Sequence, residues 1–270
     1  MKHKYPRICI AALFILSIAQ LSSAQIMRLG VKAGPQLSWV ANDDPKYESI
    51  ASVGPATGFH AGLVMGFKVK DRYFLNLETM YSQKGKIVRG KEDPQLHDKV
   101  VYNHLDIPVL FSMHFKGKLS DNKEFKWYLN AGPTVSYWLG GKGKIKAGDL
   151  SENGISELKY KFVFGDRPEE HDASLVYIKD ANRWQFAMSV GGGLVLEPVD
   201  KQKVMIDLRY DIGHTRMGTP ASADYLLPAL YDDTLKGRHK VLKLSLIYLM
   251  EFTSDKKERN KGKSKLKPKF

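Results

Sequence analysis

From Met27 to Trp39 every odd position is apolar or proline, and every even position is polar or glycine. A strand sends successive side chains to opposite faces, so this run has one apolar face and one wet face. It is thirteen residues long, and a tilted strand crosses a bilayer in roughly 9–11. A helix cannot use this pattern, because its faces repeat every 3.6 residues rather than every two.

Seven more segments behave in the same way: Phe59–Val69, Tyr73–Lys84, Val101–Phe115, Phe125–Leu139, Trp184–Leu196, Val204–Ile212 and Lys240–Phe252. In the second of these, Leu75, Leu77 and Tyr81 stand opposite Asn76, Glu78, Ser82 and Lys84. In the last, Leu242, Leu244, Leu246 and Tyr248 stand opposite Lys243, Ser245 and Glu251. The pattern predicts an all-β transmembrane antiparallel barrel of eight strands, an even number as single-chain bacterial barrels have. Mean hydropathy is negative, as expected when polar and apolar faces average out along each strand.

The connections alternate in length. They are short around 70–72, 116–124 and 197–203, and long around 40–57, 85–100, 140–183 and 213–238. Outer-membrane barrels have short periplasmic turns, long extracellular loops and periplasmic termini, and this order reproduces that rule. The aromatics sort as well. Trp39, Phe59, Tyr81, Tyr137, Trp184 and Tyr210 fall at the expected outer ends of the strands, and Phe67, Tyr73, Phe115, Trp127 and Phe252 at the inner ends. Such belts mark the two interfaces of a bilayer. Within 140–183, Leu158, Tyr160, Phe162 and Phe164 alternate again and Leu175–Ile178 is apolar. Two readings stand for this stretch: a hairpin continuing above the membrane, or an extra pair of wall strands making ten.

Before the first strand, Lys2, Lys4 and Arg7 precede an apolar run from Ile8 to Ala19, and Ser22-Ser23-Ala24 fits a cleavage site. Residues 1–24 therefore read as a cleaved export signal, with the mature chain starting at Gln25. The single cysteine, Cys9, lies inside that signal, so the mature chain has no disulfide and no thiolate chemistry. The organisation that follows is signal peptide 1–24, barrel 25–252 and tail 253–270, in the outer membrane of a Gram-negative cell.

A barrel of eight strands has an interior that side chains just fill. Here the polar face supplies Arg28, Lys32, Glu78, His104, Asp106, Asp207, Arg209, Asp211, Lys243 and Glu251. Acids and bases are mixed, as buried charges require. This set predicts a structural, charge-paired lumen; a narrow solute path or a lumenal ligand site is the alternative.

Catalytic and metal readings are thin. His104, Asp106, Ser112 and His114 supply the residue types of an acyl-transfer site, but Ser112 lies eight residues from His104, far beyond hydrogen-bond reach at the rise of a strand. His60, His104 and His114 have no spacing that gathers them around a metal. Gly191-Gly192-Gly193 has no following helix to hold a phosphate and instead suits close packing in a strand. The chain is expected to be no enzyme and to carry no cofactor or metal.

The formal charge is +13. The first 24 residues hold +3 of it and the tail +6, which leaves an ordinary +4 between them. The tail owes this to Lys256, Lys257, Arg259, Lys261, Lys263, Lys265, Lys267 and Lys269, set against Asp255 and Glu258. Its composition predicts disorder. Two readings stand for it: a solubilising overhang, or electrostatic contact with the anionic inner leaflet or an acidic periplasmic protein. The charge is terminal rather than a patch on a folded face, so nucleic acid is not an expected partner.

Several blocks resemble a known family: Leu29-Gly30-Val31-Lys32-Ala33-Gly34, Gly58-Phe59-His60-Ala61-Gly62, Leu105-Asp106-Ile107-Pro108-Val109-Leu110, Tyr128-Leu129-Asn130-Ala131-Gly132-Pro133 and Asp207-Leu208-Arg209-Tyr210-Asp211-Ile212-Gly213. Together they are similar to the Bacteroidetes outer-membrane β-barrels called PorT-like. The resemblance covers nearly all of the mature chain to Phe252, and the lysine-rich tail departs from it. It implies a barrel without an assigned activity. For the namesake group, it implies a place in the type IX secretion machinery, which would make secretion-system proteins partners beside the outer-membrane lipid. The two functional expectations are a structural or interaction scaffold and a transport component or narrow channel.

Overall fold

The computed structural model describes residues 26–41, 49, 51–91, 93–120, 123–146, 148–152, 154–168, 172, 174–218, 223–224, 235 and 237–253. The export signal and the tail beyond Thr253 lie outside the described residues. The elements are β1 (Ile26–Ala41), β2 (Ala51–Lys70), β3 (Tyr73–Gly90), β4 (His97–Ser120), β5 (Lys123–Lys146), α1 (Gly148–Glu152), β6 (Leu158–Phe164), β7 (Leu175–Ile178), β8 (Trp184–Val199), β9 (Gln202–Gly213), β10 (Ala223–Asp224) and β11 (Arg238–Thr253).

Eight of these strands close a ring. Antiparallel pairings run β1–β2, β2–β3, β3–β4, β4–β5, β5–β8, β8–β9 and β9–β11, and β11 returns to β1. Closure abolishes free edges, the requirement a spanning sheet must meet in hydrocarbon. The alternation decides which side is which. Leu63 is 64 % exposed on the outer wall, with Leu77, Leu129, Met188, Ile206 and Leu244 also on it, while Glu78, Asp106 and Arg209 are buried inside.

Two of the inner connections, 71–72 and 200–201, are two-residue turns. Asp71 and Lys201 adopt positive φ there, at 29° and 63°, in the hairpins joining β2 to β3 and β8 to β9. The outer rim is taller than the alternation predicts. The stretches 40–57 and 85–100, expected as loops, are partly wall, because Ala51 pairs with Gly90 and Arg89 pairs with His97. The reason is an inversion of the pattern. Above the membrane the outward face meets water and the inward face meets a core, so apolar residues such as Val88 and Val100 turn inward.

The segment 140–183 answers to neither sequence reading. β5 divides its partners: Lys126–Tyr137 pairs with β8, and Lys142–Ile145 pairs with β6. β6 and β7 therefore stand outside the ring as a flap on its outer rim, and the wall keeps eight strands. They are parallel rather than a hairpin, with Lys161 opposite Leu175 and Phe164 opposite Ile178. β7 begins level with Lys161 and ends level with Phe164, so both strands run down toward the membrane.

The interior is layered. An inner apolar cluster holds Val64, Tyr128, Val195, Met205, Ile247 and Leu249. An outer one is built on Tyr102 and Trp138, with Val100, Ile145, Phe162 and Ile178 around them. Between the two lies a polar layer. Tyr102 packs edge-on to Trp138 at 5.5 Å and face-on to Phe162 at 5.5 Å, so the flap supplies part of the outer stopper.

Candidate functional site

The polar layer is the candidate site, and strand parity positions every side chain in it. In one set, Lys32 Nζ lies 2.7 Å from Asp207 and 3.5 Å from Glu78. Arg209 donates to both oxygens of Glu78, at 2.8 and 2.9 Å, and its Nη2 is 3.2 Å from Asp207. Tyr128 and Asn130 donate to Asp207 Oδ1 at 2.7 and 3.1 Å. Two cations face two carboxylates, and neutral donors fill the remaining lone pairs.

A second set stands nearer the outer end. Lys84 lies 2.8 Å from Asp106, and Lys243 reaches Asp106 at 3.0 Å and Asp211 at 2.7 Å. Ser136 donates to Asp106 and Ser189 to Asp211, each at 2.6 Å. This set is also two cations against two carboxylates. Removing a carboxylate or an ammonium from water costs several kcal/mol, and mutual pairing with extra hydrogen bonds offsets it. One cavity beside the second set, lined by Lys84, Ser136 and Asp211, has a volume of about 10 Å³, room for about one water.

The structure distributes the sequence-derived lumen residues over four levels. Lys32, Glu78, Asp207 and Arg209 form the first set, and Asp106, Asp211 and Lys243 belong to the second. Arg28 and Glu251 meet at the inner mouth, 2.9 Å apart, with Lys203 3.6 Å from Glu251, and Arg28 lies over the Phe74 ring at 3.8 Å. His104 lies above both sets, stacked against Trp138 at 6.3 Å and edge-on to His239 at 5.2 Å. Reading the polar face for formal charge passed over Lys84, Lys203, Tyr128, Asn130, Ser136 and Ser189. Lys84 was legible, since it shares the parity of Glu78 on β3. The neutral donors were not, because nothing in a strand's sequence says which serine will meet which carboxylate.

The acyl-transfer candidates do not converge. Asp106 is engaged by two lysines, Ser112 accepts from Asn76 at 2.7 Å, and His114 packs on Phe74 and Tyr128. His60 meets Ser245 at 2.8 Å. Among the described residues no group of three or more His, Cys, Asp or Glu side chains is placed to hold a metal.

The outer wall completes the geometry. Its aromatics pair in two belts: Trp39–Tyr210, Phe59–Tyr81 and Tyr137–Trp184 toward the outer rim, and Tyr73–Phe111 and Phe115–Trp127 toward the inner turns. Between them lie the exposed leucines, valines and methionines. A closed antiparallel ring with an apolar wall, two aromatic belts and an ionic interior is a transmembrane β-barrel of the outer-membrane type.

The chain belongs to the outer membrane protein beta-barrel domain family, whose model matches residues 18–215. That membership places it in the outer membrane. It is also similar to solved structures at low identity. The neisserial surface protein A matches with 13 % identity and a TM-score of 0.37, over 83 % of this chain and 97 % of that one. The attachment invasion locus protein of Yersinia pestis matches with 13 % identity and a TM-score of 0.32, over 83 % and 98 %. The outer membrane protease OmpT from Escherichia coli matches with 6 % identity and a TM-score of 0.29, over 86 % and 98 %. No curated protein sequence matches the chain.

Proposed function

We propose that the protein is a closed, non-catalytic scaffold of the outer membrane, which anchors the β6–β7 flap outside the cell and does not conduct. One observation carries this reading. The lumen holds two ionic sets, each neutral in itself, beneath a stopper of buried aromatic rings. A permeating ion would have to replace several direct ion pairs at once, and the cavity between Lys84, Ser136 and Asp211 offers it only about 10 Å³. The test is planar-bilayer recording of the purified full-length chain. Membranes that stay silent under applied voltage agree with a filled barrel; steady unitary conductance would refute it.

A second reading keeps the transport role through partners rather than through a pore. The resemblance to PorT-like barrels and the tail, with eight Lys/Arg against two acids, favour attachment to an acidic periplasmic protein or to the type IX secretion machinery. The check is a gentle-detergent pulldown from native membranes, comparing the full chain with a form lacking 254–270. Secretion proteins that come down with the first and vanish with the second support this reading. Both forms coming down alone dismisses it. Export by removal of residues 1–24 is part of either reading, and an N-terminal sequence other than one starting at Gln25 would correct it.

A further inference from the structure

Where β5 leaves the ring and takes β6 as its partner, the outward face becomes lysine. Lys99 on β4 stands directly opposite Lys144 on β5. Lys142 and Lys144 stand directly opposite Lys161 and Lys159 on β6. All five side chains are exposed. Glu157 offsets part of this charge, 3.4 Å from Lys144 and 4.0 Å from Lys159. Like charges in directly opposed positions destabilise a sheet, and here three such pairs occur in adjacent strands. A groove of about 640 Å³ runs among them, with Ser174 at its edge.

The position of this face bears on its occupant. It points away from the barrel axis, on the side that faces lipid lower down. Lys142 follows Tyr137 of the outer aromatic belt by five residues, which lifts it roughly 12 Å above that belt at the rise and tilt of barrel strands. Leu139, between them, is still an exposed apolar residue. The lysines therefore stand beside the headgroups of the surrounding leaflet, on flexible stems that extend toward them. Charge-assisted bonds from ammonium groups to phosphate oxygens would relieve the crowding of like charges.

We propose that this five-lysine face binds the phosphate-bearing saccharide headgroups of the glycolipid leaflet around the barrel. A soluble polyanion shares that chemistry, but the outward aim of the face and its continuity with the lipid wall favour the leaflet. The proposal stands whether or not the barrel conducts.

The test uses the full chain in nanodiscs of zwitterionic lipid, titrated with rough lipopolysaccharide, the same glycolipid stripped of phosphate, and soluble polyphosphate. Binding is read by native mass spectrometry and by the thermal unfolding midpoint. The expected result is preference for the phosphorylated glycolipid, at least tenfold weaker binding by the K99Q/K142Q/K144Q/K161Q variant, and retention by the matching lysine-to-arginine variant. Without ligand, the glutamine variant should unfold no lower than the parent. Equal binding by parent and glutamine variant overturns the proposal, as does equal binding of the dephosphorylated glycolipid. Tighter binding of polyphosphate than of glycolipid overturns the leaflet as the source. A lower ligand-free midpoint in the glutamine variant makes the lysines structural and overturns it too.

Discussion

Lys32 Nζ lies 2.7 Å from Asp207 Oδ2, joining β1 to β9 across 175 residues of chain, and neither side chain has solvent exposure. Removing one partner of a buried pair leaves an uncompensated charge and costs about 3–5 kcal/mol. Lys32→Met should therefore lower stability by about that much, and Asp207→Asn by a similar amount. The double variant should cost less than the two together, because the charges leave in balance. Urea midpoints and the heat-modifiable band on electrophoresis read all three.

The lipid wall makes a depth prediction. Leu63 sits midway between Phe59 of the outer belt and Phe67 toward the inner end, so it marks the bilayer midplane. Leu63→Arg should cost about 2–4 kcal/mol, whereas Leu129→Arg, two residues from Trp127 of the inner belt, should cost roughly 0–1 kcal/mol. Unfolding in lipid vesicles measures both, and equal costs would contradict this placement of the belts.

Gly193 faces inward at a close approach of two strands. A Cβ there would lie 1.9 Å from the Ile206 carbonyl oxygen and 2.8 Å from the Tyr128 hydroxyl, the same hydroxyl that donates to Asp207. Gly193→Ala should destabilise by about 1–3 kcal/mol through overpacking. Tyr128→Phe in the same background should recover little of it, since the nearer clash is with backbone.

The outer stopper rests on a fully buried indole. Trp138→Ala should cost about 3–5 kcal/mol by cavity formation. It should still leave planar bilayers silent, because both ionic sets below remain in place. A current that appears on this single change would assign insulation to the stopper rather than to the charges.

Ring closure sets the last expectation. Ile26 pairs with Thr253 and Met27 with Phe252, so the final strand is complete at Thr253. A chain cut after Thr253 should fold and show the same heat-modifiable shift as the full chain; failure to fold would make 254–270 part of the barrel's folding unit.

Much of this architecture was legible in the chain, for a local reason. A period of two is a property of single strands, and a bilayer outside with charges inside makes that period visible. It identified the eight wall strands, the inward face of Glu78 and Arg209 and the outward face of Leu63 and Leu244. The period failed at the outer rim, where water replaces lipid outside and the apolar face turns inward, as Val88, Val100 and Ile145 do. The register also shifts by one between Asn103 and His104, opposite Gly140, whose φ is +149°. Parity counted from the membrane strands misassigns Lys142, Lys144 and Lys146 for that reason.

By itself the sequence determined the class of fold and, within the membrane-crossing stretches, the side to which the side chains point, because these follow from short-range alternation. Only the tertiary structure decided which charges meet, that β5 gives its upper end, Lys142–Ile145, to β6, and that five lysines share one outward face. Those outcomes depend on the register with which distant strands close the ring, a long-range property that no single strand encodes.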